Sequence, residues 1–214
     1  MIISRIDTVS VVGFLILVQG TGALAGFWLP AIAPEVGESL GLSASLIAYP
    51  VLILYIFAMI SSLMAGGFVA RFGAWRASQA ALILIGISHL MFMNGSLIFL
   101  AVGSIILGGA YGLLTPPASH LLSKIVTAKN RNLIFSIRFT GVPLGGILAG
   151  LLAPSVALEY GWRESMLVTV VISVVIAVAM QPLRKRWDND SSKGAKSIRN
   201  PISDICLVWK LSAL

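Results

Sequence analysis

Apolar residues along this chain form long runs that are separated by short polar breaks. Each run approaches the roughly 20 residues that a helix needs to cross about 30 Å of hydrocarbon. The breaks contain Pro, Gly, Asn or charged residues, which end helices. Because the runs lack the alternating pattern of a β-barrel, they predict an all-α membrane protein. Six transmembrane helices are predicted, at residues 9–34, 46–70, 77–93, 97–122, 133–158 and 165–182.

Composition agrees with a chain that lies in a lipid bilayer. Apolar residues make up 57% of the sequence and charged residues only 11%, whereas an ordinary soluble domain has about 25% charged residues. The net charge of +7 comes from loops and a polar tail, so no nucleic-acid partner is expected. Cys206 is the single cysteine, which leaves no Cys-x-x-Cys metal motif, and we expect no cofactor.

Basic residues predict the orientation of the helices. Thirteen of the fifteen Lys and Arg residues lie in the N-terminus, the second and fourth loops and the tail, while the other loops hold only Arg163. By the positive-inside rule both termini face the cytoplasm, and we expect a bacterial inner membrane. His89 and His120 lie near span ends, which is typical of interfacial residues. An aromatic belt is predicted from five residues near span ends: Trp28, Trp75, Tyr160, Trp162 and Trp187.

The chain divides into three predicted segments. Residues 1–182 form the six-helix bundle, and residues 183–200 are polar and basic, as expected of a cytoplasmic loop. Residues 201–214 become apolar again and predict the start of a truncated second half. Within the bundle, Gly73-Ala74-Trp75-Arg76 follows the second span and Gly161-Trp162-Arg163 follows the fifth. This weak repeat favours a 3+3 inverted construction, which many secondary transporters share.

Two segments carry a resemblance to a known family. The loop from Gly66 to Arg76 resembles the motif between helices two and three of the major facilitator superfamily, although Ala70 stands where that family usually has Asp. The fifth span, residues 135–146, resembles cyanate and nitroimidazole carriers. The resemblance implies the N-terminal half of a secondary active transporter that works by alternating access. It also implies a missing six-helix half, or a second copy, as partner, and gating roles for Gly66, Arg71, Gly73 and Arg76.

Arg138 is the one charged residue inside a predicted span. A charge at membrane depth is costly, about 2.5 to 3.5 kcal/mol for Arg near a helix centre on insertion scales, so such residues usually have a function. A guanidinium facing a central cavity would bind a small anionic substrate. The alternative is that Arg138 extends to the lipid headgroups.

Other residues within the spans complete the candidate site. Polar side chains expected to bind substrate with Arg138 are Gln19, Thr21, Tyr111, Thr115 and Thr140. In the fifth span, Pro143 predicts a kink. Small residues at four-residue spacing predict close helix packing there: Gly141, Gly145, Gly146 and Gly150.

Transport of a small, anionic solute is the leading hypothesis, and a coupling proton or ion is left open. A non-transporting binding or structural subunit is also compatible with a chain of this length. An intramembrane serine protease would need a nucleophilic Ser paired with a His. The chain lacks a Gly-x-Ser-Gly run, and neither His is at mid-membrane, so we expect no enzyme.

Overall fold

The apolar runs form a bundle of α-helices in a computed structural model, which describes residues 5–43, 46, 48–127 and 129–188. Across these ranges the secondary structure is helical, without a β-strand. Most of the predicted central loop and all of segment 201–214 lie outside the described residues. The helices are α1 (Arg5–Ala31), α2 (Ala33–Leu40), α3 (Ala48–Phe72), α4 (Ala74–Phe92), α5 (Leu97–Gly112), α6 (Thr115–Ile125), α7 (Arg131–Phe139), α8 (Gly141–Tyr160), α9 (Trp162–Ala179) and α10 (Arg184–Trp187).

Five stretches in the described part of the chain are long and apolar enough to cross a membrane. They include α1, α3, the pair α5 and α6, the pair α7 and α8, and α9. The third predicted span corresponds to α4, which has 19 residues. All six apolar runs are therefore helical, with bounds within a few residues of those expected. The all-α membrane class is confirmed.

Two spans are interrupted where proline removes a backbone donor. In an α-helix the N–H of each residue bonds to the carbonyl four residues earlier, and proline has no N–H. Pro116 leaves the carbonyl of Gly112 without that bond, and α5 ends at Gly112. Pro143 does the same to Phe139, where α7 ends. Each interruption lies inside a span.

The most extensive helix interfaces join α3 to α5 and α1 to α8. Glycine allows the backbones to touch in both. A Cβ atom on Gly141 would lie 2.6 Å from the carbonyl oxygen of Ile16, and one on Gly112 would lie 2.5 Å from that of Ala58. Such close approach through small residues is the common way in which helices pack in lipid.

The segments Gly73–Arg76 and Gly161–Arg163 begin with the same backbone geometry. Gly73 precedes α4 with φ 92° and ψ 152°, and Gly161 precedes α9 with φ 96° and ψ 152°. Only glycine adopts this region readily. Because one segment follows the second span and the other follows the fifth, their equivalence agrees with 3+3 inverted repeats.

The aromatic-belt interpretation is wrong for the tryptophans. The Nε1 of Trp75 donates a hydrogen bond to the Met180 carbonyl at 2.7 Å, and that of Trp28 donates to Ser165 Oγ at 3.2 Å. Only Tyr160 of the five aromatic residues is exposed. The sequence places these rings near helix ends but does not say which face of the helix they occupy. Four of them are buried inside the bundle: Trp28, Trp75, Trp162 and Trp187.

Candidate functional site

Arg138 lies at the centre of a polar cluster that joins three spans. Its side chain is 0% exposed. The Nη2 atom donates a hydrogen bond to Gln19 Oε1 of α1 at 2.5 Å and another to the carbonyl oxygen of Leu114 at 3.3 Å. The guanidinium therefore faces the bundle interior, and extension towards headgroups is not what the structure shows.

The cluster leaves the positive charge of Arg138 uncompensated. Both acceptors, the Gln19 amide and the Leu114 carbonyl, are neutral. Nε and Nη1 of Arg138 are buried without a hydrogen-bond partner in the described part of the chain. An unpaired buried donor typically costs about 1 to 3 kcal/mol, and more for a charged group. Such groups often mark a place that an ion, a water or a substrate occupies.

Both helix interruptions adjoin the cluster. Leu114 lies in the two-residue break between α5 and α6, and Arg138 lies two residues before the break at Thr140. The guanidinium thus belongs to one interrupted span, α7 and α8, and donates a hydrogen bond to the break in the other, between α5 and α6. Small changes in backbone angle at either break would move the guanidinium relative to its acceptors.

Phe139 separates Arg138 from an open surface. Its ring centroid is 4.7 Å from the guanidinium carbon, which is a cation–π contact. The same ring is 44% exposed. It lines a surface depression of about 580 Å³ with Asn132, Phe135, Ser136, Thr140 and Pro143. Arg138 itself does not line the depression, and Phe139 is the residue that both contacts the guanidinium and lines it.

Among the other predicted binding residues, the structure brings only Gln19 into hydrogen-bond contact with Arg138. Thr21 is buried and donates to the carbonyl of Leu17 in its own helix at 2.8 Å. Thr140 is exposed and likewise bonds within its helix, to Ile137 at 2.6 Å. Tyr111 is partly buried and packs edge-on against Tyr55, with ring centroids 6.1 Å apart. Thr115 is exposed.

The predicted packing residues of the fifth span fall into two groups. Gly141 and Gly145 face α1, where a Cβ on Gly145 would overlap the backbone of Gly20. A Cβ on Gly146 would lie 3.4 Å from the Phe27 ring, an ordinary contact distance, and Gly150 has open space around it. Pro143 is exposed.

Of the residues with a predicted gating role, Gly66 and Arg71 lie in α3 and Arg76 in the first turn of α4, and all three are exposed. Arg71 lies over the ring of Phe72 at 5.3 Å. Gly73 is buried, and a Cβ there would overlap the Asp188 carboxylate. That carboxylate also accepts a hydrogen bond from the backbone N–H of Arg76 at 3.2 Å. Gating by these residues stays a prediction.

Sequence reasoning missed three elements. The Leu114 carbonyl carries no side-chain signal; the Pro116-Pro117 pair indicates a helix break nearby, but the carbonyls it frees are those of Gly112 and Leu113. Asp188 lies just beyond the sixth span and contacts the first turn of α4, more than a hundred residues earlier, for which the sequence has no local signal. Gly112 belongs to the Gly-rich fourth span, so its four-residue spacing from Gly108 could have indicated packing.

The interfacial interpretation of His89 is wrong. The ring is 0% exposed, and its Nδ1 lies 3.1 Å from the carbonyl oxygen of Ile85. His120 is exposed. As with the tryptophans, position along the helix did not reveal which face the side chain occupies.

These long apolar helices define an integral, multi-pass membrane protein. The sequence profile of the Major Facilitator Superfamily matches residues 14–211. The chain belongs to that family.

Known proteins similar to this chain include transporters of several kinds. The gallate transporter of Pseudomonas putida is 28% identical over 151 residues, which cover 68% of this chain and 32% of that protein. The chain therefore spans about a third of this curated relative. A peptide transporter solved with sulfate superposes with a TM-score of 0.70 at 21% identity, covering 95% of this chain and 44% of that one. A D-xylose–proton symporter gives 0.67 at 16%, covering 98% and 54%. These structures support the fold alone.

Proposed function

We propose that the protein is a secondary active transporter of a small organic anion, with Arg138 as the residue that binds the anion. One observation carries the proposal. Among the residues that the structure describes, a fully buried guanidinium has two donor atoms without a partner and donates only to neutral partners from the third. An anionic group would satisfy these donors and balance the charge, because charge-assisted hydrogen bonds are among the strongest in proteins.

Substrate would reach Arg138 through the depression beside Phe139. In this structure the guanidinium is closed off, so binding requires the Phe139 ring to rotate or α7 to shift at the Thr140 break. Alternating access depends on such a rearrangement, in which a site near mid-membrane is exposed to one side at a time. The two proline interruptions are where such a rearrangement would meet the least resistance, because backbone hydrogen bonds are missing there.

An aromatic carboxylate is the first substrate to test. The relative from Pseudomonas putida is named as a gallate transporter, and gallate combines a carboxylate with an aromatic ring. Arg138 would bind the carboxylate, while Phe139 offers a ring for stacking. The resemblance of residues 135–146 to cyanate and nitroimidazole carriers makes cyanate a second probe. A coupling proton or ion stays a proposal without a named residue.

The arrangement in the membrane is also a proposal. The basic loops favour cytoplasmic termini in a bacterial inner membrane. A bundle of residues 1–182, a basic loop of residues 183–200 and the start of a second half from residue 201 would fit a carrier with two six-helix halves. The relatives' greater length supports a second half as the partner that completes the cavity, and a second copy is the alternative.

Uptake of labelled gallate into bacterial cells that express the protein tests the function. Wild type should accumulate gallate but not methyl gallate, which keeps the ring and lacks the carboxylate. Arg138→Ala should reduce uptake roughly 10- to 100-fold, as expected for a lost charged hydrogen bond. The matched control is Arg131→Ala, an exposed arginine on the same helix, which should transport normally. Normal uptake by Arg138→Ala at equal membrane levels would exclude Arg138 from the site.

A further inference from the structure

Gln19 is held firmly beside Arg138 by the packing of α1 against α8. Gly141 follows Arg138 by three residues, and a Cβ there would lie 3.1 Å from the backbone nitrogen of Gly20 and 3.3 Å from Cβ of Gln19. The backbone that carries Gln19 therefore touches the start of α8. Gln19 itself is 4% exposed, so its amide has little freedom to move.

The neutral amide of Gln19 can orient the Arg138 guanidinium without cancelling its charge. Its oxygen accepts a hydrogen bond from Arg138 Nη2 and so fixes the direction of the guanidinium. Because the amide is neutral, it does not cancel the positive charge, as a carboxylate at the same place would. The Leu114 carbonyl, the second acceptor, is neutral too. The guanidinium of Arg138 is thus held in one direction while its positive charge stays available to an anion.

We infer that Gln19 is a positioning residue, which orients Arg138 for an anionic substrate without neutralising it. This inference rests on the proposed function. It adds a role to the expectation that Gln19 binds substrate: the amide oxygen accepts from Arg138, whereas an anion would bind only to the amide N–H donors.

Two substitutions of Gln19 test separately the orientation of the Arg138 guanidinium and the availability of its charge. Gln19→Met keeps the length of the side chain and removes the acceptor, so the guanidinium is no longer aligned. Gln19→Glu keeps an acceptor in the same place and adds a negative charge, which occupies the guanidinium permanently. Initial rates of gallate uptake at several concentrations, in cells that express each variant, give KM and maximal rate. Thermal unfolding of the purified proteins shows whether each variant is folded.

Gln19→Met should raise KM roughly tenfold and leave the maximal rate within about twofold of wild type. A higher KM at an unchanged maximal rate means that the variant binds substrate more weakly but transports bound substrate at the normal rate. Gln19→Glu should unfold at the same or a higher temperature than wild type and yet lose uptake by at least about 100-fold. A structural role alone would lower the maximal rate or the folded amount of Gln19→Met and leave KM unchanged, and that result overturns the inference.

The outcome also distinguishes this inference from the proposed function. If Arg138→Ala is inactive while both Gln19 variants show wild-type kinetics, the positioning role is excluded and the anion site stands. If Arg138→Ala takes up gallate normally, the anion site itself fails. Should Gln19→Glu not fold, the KM of Gln19→Met still decides.

Discussion

The carboxylate of Asp188 caps α4 through the backbone N–H of Trp75, which donates to Oδ1 at 2.9 Å. A second bond runs from the next N–H, of Arg76, to Oδ2. These are the second and third residues of α4, whose N–H groups a Ser, Thr, Asp or Asn at the N-cap usually satisfies. The N-cap here is Gly73, which has no side chain. Asp188 provides the cap from 113 residues away.

Loss of this cap should destabilise the protein. Replacing a capping side chain by Ala costs about 0.5 to 2 kcal/mol, so Asp188→Ala should lower the unfolding temperature by a few degrees. Asp188→Asn keeps an oxygen acceptor and should lose less. Thermal unfolding of the purified protein in detergent measures both. An Asp188→Ala variant as stable as wild type would show that water replaces the carboxylate without loss.

The same carboxylate should make stability depend on pH. Burial raises the pKa of Asp188 above its ordinary value, although the N–H groups of Trp75 and Arg76 and the charges of Arg76 and Lys124 oppose the shift. With a raised pKa the folded state binds more protons than the unfolded chain, so the free energy of unfolding falls as pH rises through this range.

Comparison with Asp188→Asn, which does not titrate, isolates this effect. Relative to that variant, wild type should be more stable at pH about 4 than at pH 7, since an ordinary Asp titrates near 3.9. The difference between their unfolding temperatures, measured at both values, checks the sign. A difference that grows in favour of wild type as pH rises would contradict it.

The sequence predicted the spans well because hydrocarbon thickness alone fixes how long an apolar run must be. The helix break at Phe139 also follows from a local property, since Pro143 has no N–H for the Phe139 carbonyl, and the kink itself stays a prediction. Arg138 could be identified as a candidate site residue from the sequence, because it is the one charged residue within the predicted spans.

What the sequence could not predict was the face that each side chain occupies. Trp75 and His89 lie near helix ends, and both faces of such a helix are apolar in a membrane protein. Periodicity therefore does not separate the lipid side from the bundle side. The contact of Asp188 with α4 depends on how the sixth span packs, which no nearby residue encodes.

Close packing of α1 and α8 depends on Gly145. A Cβ there would overlap the backbone oxygen of Gly20 and lie 2.8 Å from the nitrogen of Leu24, and backbone atoms cannot move aside as a side chain can. Gly145→Ala should therefore destabilise the protein by about 1 to 3 kcal/mol, as overpacking does. Gly150→Ala, on the same helix with open space around it, is the matched control and should be neutral or slightly stabilising. Equal unfolding temperatures for the two variants would contradict the interface.

The interruption at Thr140 should matter for transport more than for stability. Pro143→Ala restores an N–H that can bond to the Phe139 carbonyl, so α7 and α8 should join into one straighter helix. We expect a higher unfolding temperature and a lower maximal rate of gallate uptake, because the bend that uncovers Arg138 becomes harder to form.

Pro154 provides the control, since it lies inside α8 without ending that helix. Pro154→Ala should leave the maximal rate near that of wild type, although it too removes a proline from the same span. Uptake measured at saturating gallate, with membrane levels of each variant matched, compares the two. If both variants slow uptake equally, helix straightening in general is responsible, and the break beside Arg138 has no special part in the transport cycle.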